Sequence, residues 1–112
     1  MSIVFYTDRW IKPAFAGCAR GPLIFIRPQY RGDAGLLAHE RVHVRQWLQT
    51  LSLHSFLYLL VPAYKLWAEA QAYRAQAACY PDDRRPAFAQ MIATRYGLDV
   101  TPAAALVLLQ AA

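Results

Sequence analysis

The spacing of apolar residues changes character near residue 33. Before that point, short runs of β-branched and aromatic residues are separated by turn-forming residues, which is typical of strands. Extended segments are predicted at residues 2–6, 12–18 and 23–27, with a turn at residues 19–22. Residues 23–27 are apolar on both faces, so this strand is either buried or an edge strand beside a cleft. We therefore expect a small antiparallel sheet with a hairpin at the turn.

After residue 33 the apolar spacing becomes helical. Asp33 is a suitable N-cap, and no proline follows before about Leu51, so one helix is predicted over this range. It should bury one face and line a site with another. The predicted apolar stripe consists of Leu37, Val44, Leu48 and Leu51, and the predicted site face consists of Leu36, His39, Glu40, His43, Gln46 and Trp47.

Four further helices are predicted towards the C-terminus. A short apolar helix covers residues 54–60, and the next begins at Pro62 and continues to about Ala78. Another spans residues 82–96 with Gly97 after its end, and Thr101 caps the last one. The apolar residues 56–67 are assigned to the core, because a core needs them. A surface patch for membrane contact is the competing interpretation.

Composition narrows the class of protein. The 112 residues fit one domain, 1–112, and 57% hydrophobic with 17% charged residues indicates a folded chain. The net charge of +5 comes from scattered basic residues without a nucleic-acid motif, so we expect no nucleic-acid partner. Asp8 and Arg9 interrupt the N-terminus before a signal-peptide core forms, and no apolar run reaches the length of a membrane span. A cytoplasmic protein without stable membrane insertion is expected.

The two cysteines, Cys18 and Cys79, are too few for a zinc finger. We interpret them as small buried thiols, although a disulfide is not excluded by the sequence. Oligomeric state cannot be predicted from these features.

Chemistry concentrates at residues 39–43, which read His-Glu-Arg-Val-His. His39 and His43 are one helical turn apart, so both imidazoles can reach one ion. Glu40 is placed to take a proton from a water activated by that ion. His-Glu-x-x-His on a helix is the motif of zinc metalloproteases.

A catalytic zinc needs a third protein ligand. Glu69 is the only other glutamate, lies on the predicted helix after Pro62, and is the preferred candidate. His54 is the alternative, although it lies in or near a turn. Tyr73, one turn beyond Glu69, is the first candidate for an oxyanion donor or for a partner of a metal ligand. Lesser candidates for the same role are Tyr64, His54 and Arg74.

The combination resembles the gluzincin clan of zinc metallopeptidases. Glu69-Ala70-Gln71-Ala72-Tyr73 looks like the clan's Glu-x-x-Ala-Asp segment, with Tyr73 in place of aspartate. The resemblance spans residues 22–78 and implies a minimal α+β zincin-like domain. In it the sheet packs on the motif helix, the third-ligand helix follows, and additional helices lie at the C-terminus. It also implies that residues 23–27 are the strand that pairs with an extended substrate. The size is similar to that of the smallest such domains, some of them of phage or prophage type.

The sequence thus predicts a zinc metalloendopeptidase acting on a peptide or protein substrate, with Glu40 as general base. One alternative is a non-catalytic module in which the same zinc site stabilises a protein-interaction domain. Another is a basic, apolar helical protein that acts at a membrane.

Overall fold

Three short strands form one mixed sheet at the N-terminal side of the molecule. The computed structural model describes residues 2–110, and these adopt an α+β fold of one sheet and five α-helices. The strands are β1 (Ile3–Tyr6), β2 (Gly17–Arg20) and β3 (Leu23–Ile26). The helices are α1 (Ala34–Gln49), α2 (His54–Leu60), α3 (Pro62–Ala77), α4 (Arg85–Arg95) and α5 (Pro102–Gln110).

The sheet order is β1-β3-β2, which corrects two expectations. β2 and β3 form the predicted hairpin, but β1 runs parallel to β3, so the sheet is not wholly antiparallel. The hairpin occupies one edge of β3, and β1 occupies the other. Because both edges of β3 are paired within the sheet, this strand cannot also pair with a substrate. The expectation drawn from the family resemblance is wrong for residues 23–27.

The segment between β1 and β2 is a loop for most of its length. Residues 12–16 form turns and bends, and the predicted extended segment is strand only from Gly17 onward. The Arg27 guanidinium holds this loop, since it donates to the carbonyl oxygens of Ile11, Lys12 and Phe15. Backbone carbonyls used in this way are unavailable for a sheet ladder.

Helix α1 begins where its cap predicts. The Asp33 carboxylate accepts a hydrogen bond from the Leu36 amide at 3.0 Å. The polar residues of the site face are buried and α1 packs against α3. Leu36, which we assigned to the site face, instead packs with Val44 and with Ile24 and Ile26 of the sheet. The predicted apolar stripe is therefore only partly correct. Leu48 is exposed, and Leu51 lies beyond the helix end and is 86% exposed.

Helices α2 and α3 have the predicted bounds within a residue, but α2 has no buried residue. Assigning residues 56–67 to the core is therefore wrong in large part, since Phe56, Leu59 and Trp67 are exposed. Helices α4 and α5 bury a second core with Tyr73 at its centre. Within residues 2–110, no helix is both long and apolar enough to cross a membrane.

Local sequence signals set the ends of the last two helices. Gly97 has a φ of +67° just after α4, and the Thr101 hydroxyl accepts from the Ala104 amide to cap α5. Helix α4 starts at Arg85 and not at the predicted position 82. Asp82 and Asp83 lie before it, where they form ion pairs with Arg84 and with Arg85, the first residue of the helix. The cysteines are not the buried pair that we expected. Cys18 is half-buried and Cys79 is exposed, and both are free thiols.

Candidate metal centre

The three predicted metal ligands lie together between α1 and α3. His39 Nε2 is 3.3 Å from Glu69 Oε1, and His43 Nε2 is 3.2 Å from Glu69 Oε2. One ligand atom from each residue lies within 4.8 Å of the other two, and all three side chains are buried. Among residues 2–110, these are the three side chains whose ligand atoms lie close enough together to hold one metal ion.

Two glutamines orient the histidines. His39 Nδ1 is 2.9 Å from Gln76 Oε1, and His43 Nδ1 is 2.9 Å from Gln46 Oε1. An amide oxygen only accepts, so each Nδ1 carries a proton, and Nε2, on the side of Glu69, is the nitrogen left to bind a metal once it is unprotonated. The Gln46 amide cannot be reversed, since its Nε2 donates to the Ala68 carbonyl oxygen. Both imidazoles are thus oriented for metal binding through Nε2.

The hydrogen-bond network that orients His39 extends to the N-terminus of α1. Gln76 Nε2 donates to the Tyr80 hydroxyl, and that hydroxyl donates to Asp33 Oδ1 at 2.6 Å. Asp33 is also the cap of α1, so the ligand helix and its histidine share one network. Gly35 makes this possible because a Cβ there would collide with the Tyr80 ring. The close approach of that ring therefore requires glycine.

The electrostatics of the triad suit a cation. Burial by itself would lower the pKa of His43, but the negative charge of Glu69 outweighs it and raises that pKa to about 9. Burial likewise opposes ionisation of Glu69, yet the neighbouring His43 and His39 hold the pKa of that carboxyl well below its usual range. In addition, Glu69 Oε1 is buried without a hydrogen-bond partner. A buried oxygen without a donor beside two imidazole nitrogens is a donor set that a divalent ion would satisfy.

Tyr58 enters the centre from α2. Its hydroxyl donates a short hydrogen bond to Glu69 Oε2, and burial, followed by the charge of Glu69, raises the pKa of this phenol. Tyr58 therefore remains protonated and fixes the orientation of the ligand carboxylate. His54, the alternative third ligand, instead bonds the Tyr64 hydroxyl at 2.7 Å and stays outside the triad.

Glu40 faces a cleft of about 450 Å³ that also reaches His39. It is buried, and burial raises the pKa of its carboxyl despite the opposing charge of His39. Gly17 of β2 lies opposite, where an added Cβ would clash with the Phe25 carbonyl oxygen at 2.8 Å and would only touch Glu40 Oε2, at 3.6 Å. The close approach of β2 to β3 therefore requires glycine here, and the backbone of β2 passes directly beside the carboxylate.

Tyr73 contacts the centre through its ring, which meets His39 edge-on with centroids 4.3 Å apart. Its hydroxyl lies 2.7 Å from the Tyr96 hydroxyl, and both tyrosines line the cleft. Two of the lesser candidates, Tyr64 and His54, are hydrogen-bonded to each other.

Sequence reasoning missed Tyr58, Gln76 and Tyr80, and it assigned Gln46 to the site face without a role. Gln46 follows His43 by one turn, and Gln76 follows Glu69 by two turns, so helical spacing was an available signal. No comparable signal exists for Tyr58 or Tyr80, since their positions depend on how α2 and the loop after α3 fold back. Comparison of the chain with protein-family models, with curated proteins and with solved structures finds no match.

Proposed function

We propose that the protein is a zinc-dependent metallopeptidase of minimal zincin-like, gluzincin type. His39, His43 and Glu69 would hold the ion, and Glu40 would act as general base. The observation that supports this most strongly is the position of Glu40. It is buried next to the histidine pair, outside the ligand triad, and it faces a cleft large enough for part of a peptide.

When bound, zinc supplies an acidified water and polarises the carbonyl under attack. The chain's own residues supply the remainder. The Glu40 carboxylate accepts the proton of the attacking water and passes it to the leaving amine. Burial raises the pKa of this carboxyl, which makes it a stronger base than an exposed glutamate.

Oxyanion stabilisation requires a donor in the cleft. We assign this role to Tyr73, assisted by Tyr96, because the two hydroxyls are paired and both rings line the cleft beside His39 and Glu40. Tyr58 has a different role in the proposal, since it touches a ligand carboxylate and sets its orientation.

The substitution Glu40→Gln tests the proposal. The amide matches the carboxylate in shape but cannot accept a proton, so hydrolysis of a broad peptide library by the zinc-loaded chain should fall by about two to four powers of ten. Zinc content and melting temperature should stay near wild type. Arg41→Gln is the matched control, because Arg41 is the exposed neighbour of Glu40 on the same helix.

Full activity in Glu40→Gln would contradict the proposed chemistry. A zinc-loaded wild-type chain that is stabilised by the metal but cleaves no peptide would instead support the non-catalytic zinc-stabilised interaction module.

A further inference from the structure

Large apolar side chains lie exposed along α2, at the turns flanking it and at Trp67 of α3. Leu51 is 86% exposed, Leu59 78% and Phe56 68%. We define this surface as the α2 patch, which consists of Leu51, Leu53, Phe56, Leu59, Leu60, Val61 and Trp67.

Most residues of the patch lie close together. Helix α2 has seven residues and is therefore only about 10 Å long, and Leu53 and Val61 directly flank it. His54 and Tyr58 of the same helix contact the metal centre, so α2 separates that centre from the exposed apolar side chains. Contiguous apolar surface of this kind on a folded protein marks a binding surface.

The turn before α2 places Leu51 at one end of the patch. It ends α1 as a Schellman motif, in which the Leu51 amide donates to the Leu48 carbonyl oxygen and the Ser52 amide donates to that of Trp47. This motif accounts for the φ values of +52° at Leu51 and +74° at Ser52. Leu51 itself is left exposed beside α2.

The segment that contains the patch, residues 34–81, has basic side chains but no exposed carboxylate. From residue 34 to residue 81 the only carboxylates are Glu40 and Glu69, and both are buried in the metal centre. Arg41 and Arg45 are exposed on α1, and the Lys65 ammonium lies 5.2 Å from the Tyr58 ring beside the patch. The exposed carboxylates lie elsewhere in the chain, at Asp8, Asp82, Asp83 and Asp99.

We propose that the α2 patch docks the protein on the surface of an anionic lipid bilayer. The apolar side chains would enter the boundary between headgroups and acyl chains, and Lys65, with the exposed arginines of α1, would meet lipid phosphates. A second copy of the chain fits less well, because two such cationic surfaces would repel each other. The docking is peripheral and does not depend on the metal chemistry. It brings the metal centre to within about one helix diameter, roughly 10 Å, of the lipid.

Vesicle flotation of the full 112-residue chain tests the inference. The wild-type chain should float with vesicles of phosphatidylcholine containing about one third phosphatidylglycerol, and high salt should weaken this binding. Leu59→Ser should lower the partition coefficient by about tenfold. Val107→Ser is the matched control, since Val107 is 64% exposed on α5, away from α2, and its change should leave flotation unaltered.

Tryptophan fluorescence gives an independent readout. Trp67 belongs to the patch, whereas Trp10, also exposed, lies in the loop after β1. Anionic vesicles should shift the emission of the wild-type chain to the blue. Trp67→Phe should abolish that shift, and Trp10→Phe should preserve it.

Three outcomes would overturn the inference. The first is no flotation with anionic vesicles at low salt. The second is an equal loss in Leu59→Ser and Val107→Ser, which would make the apolar contact non-specific. The third is self-association that Leu59→Ser abolishes, without flotation, which would assign the patch to a second copy of the chain.

Discussion

Polar side chains are usually exposed and apolar ones buried, but two regions of this protein are exceptions. The interface between α1 and α3 buries polar side chains, and the outer side of α2 exposes apolar ones. Between α1 and α3, charged and polar side chains are buried, with Glu69 only 2% exposed. On α2, leucine and phenylalanine face solvent. Buried polar groups and exposed apolar clusters both have a cost for the folded state. In this protein the two costs fall on neighbouring elements, and this arrangement supports both the proposed metal site and the proposed docking surface.

The two regions differ in how their cost is offset. In the metal centre the polar atoms satisfy one another, since each histidine has a glutamine partner and Glu69 accepts from Tyr58. One atom, Glu69 Oε1, remains without a donor. The α2 patch has no corresponding partner among residues 2–110. The first region therefore offers a group of ligand atoms that could hold an ion, and the second exposes an apolar surface.

The largest expected effect is the difference in stability between a substitution in the core and one in the α2 patch. Ile92 is fully buried in α4, so Ile92→Ala should lower the free energy of unfolding by about 2–5 kcal/mol. Leu59→Ala should change it by no more than about 0.5 kcal/mol, because an exposed side chain loses little on truncation. Urea unfolding of both variants measures the difference. A comparable loss in Leu59→Ala would mean that α2 serves the fold and would remove the contrast.

The glutamines provide the next test, within the metal centre. Gln46→Leu and Gln76→Leu each remove the acceptor that orients one imidazole, so zinc affinity should fall by about 10–100-fold. Competition with a chromophoric chelator measures this change. Gln90→Leu is the control, because Gln90 is exposed on α4 and should leave the affinity intact. Unchanged affinity in both centre variants would show that the network does not support the ligands.

A smaller effect concerns pH and the metal-free chain. Because the folded pKa of His43 is raised to about 9, its contribution to stability is complete below its unfolded value and is lost as pH rises through about 9. The melting temperature should therefore fall by roughly 5 °C between neutral pH and pH ~9, and His43→Gln should flatten this slope.

Zinc should oppose the effect of pH on the melting temperature. Metal binding requires unprotonated His43, so zinc affinity should rise over the same pH interval. Parallel slopes with and without zinc would contradict the assignment of His43 as a ligand.

The predictable parts of this protein are those that depend on spacing along one helix. His39, His43 and the Asp33 cap follow from helical periodicity, and Glu69 follows because no other glutamate remains. The pairing of β1 with β3 was not predictable, since short apolar strands do not specify their neighbours. The exposure of α2 could not be read from composition, because an apolar run looks the same in a core and on a binding surface. Tyr58 depends on that same packing of α2 and was missed with it.

The metal content of the freshly purified chain tests the central claim most directly. Elemental analysis by mass spectrometry should find one zinc per wild-type chain, retained in His54→Ala and lost in Glu69→Ala, because Glu69 belongs to the buried triad and His54 does not. A wild-type chain that stays empty after zinc is supplied would contradict the account. Retention of zinc in Glu69→Ala with loss in His54→Ala would move the third ligand to α2.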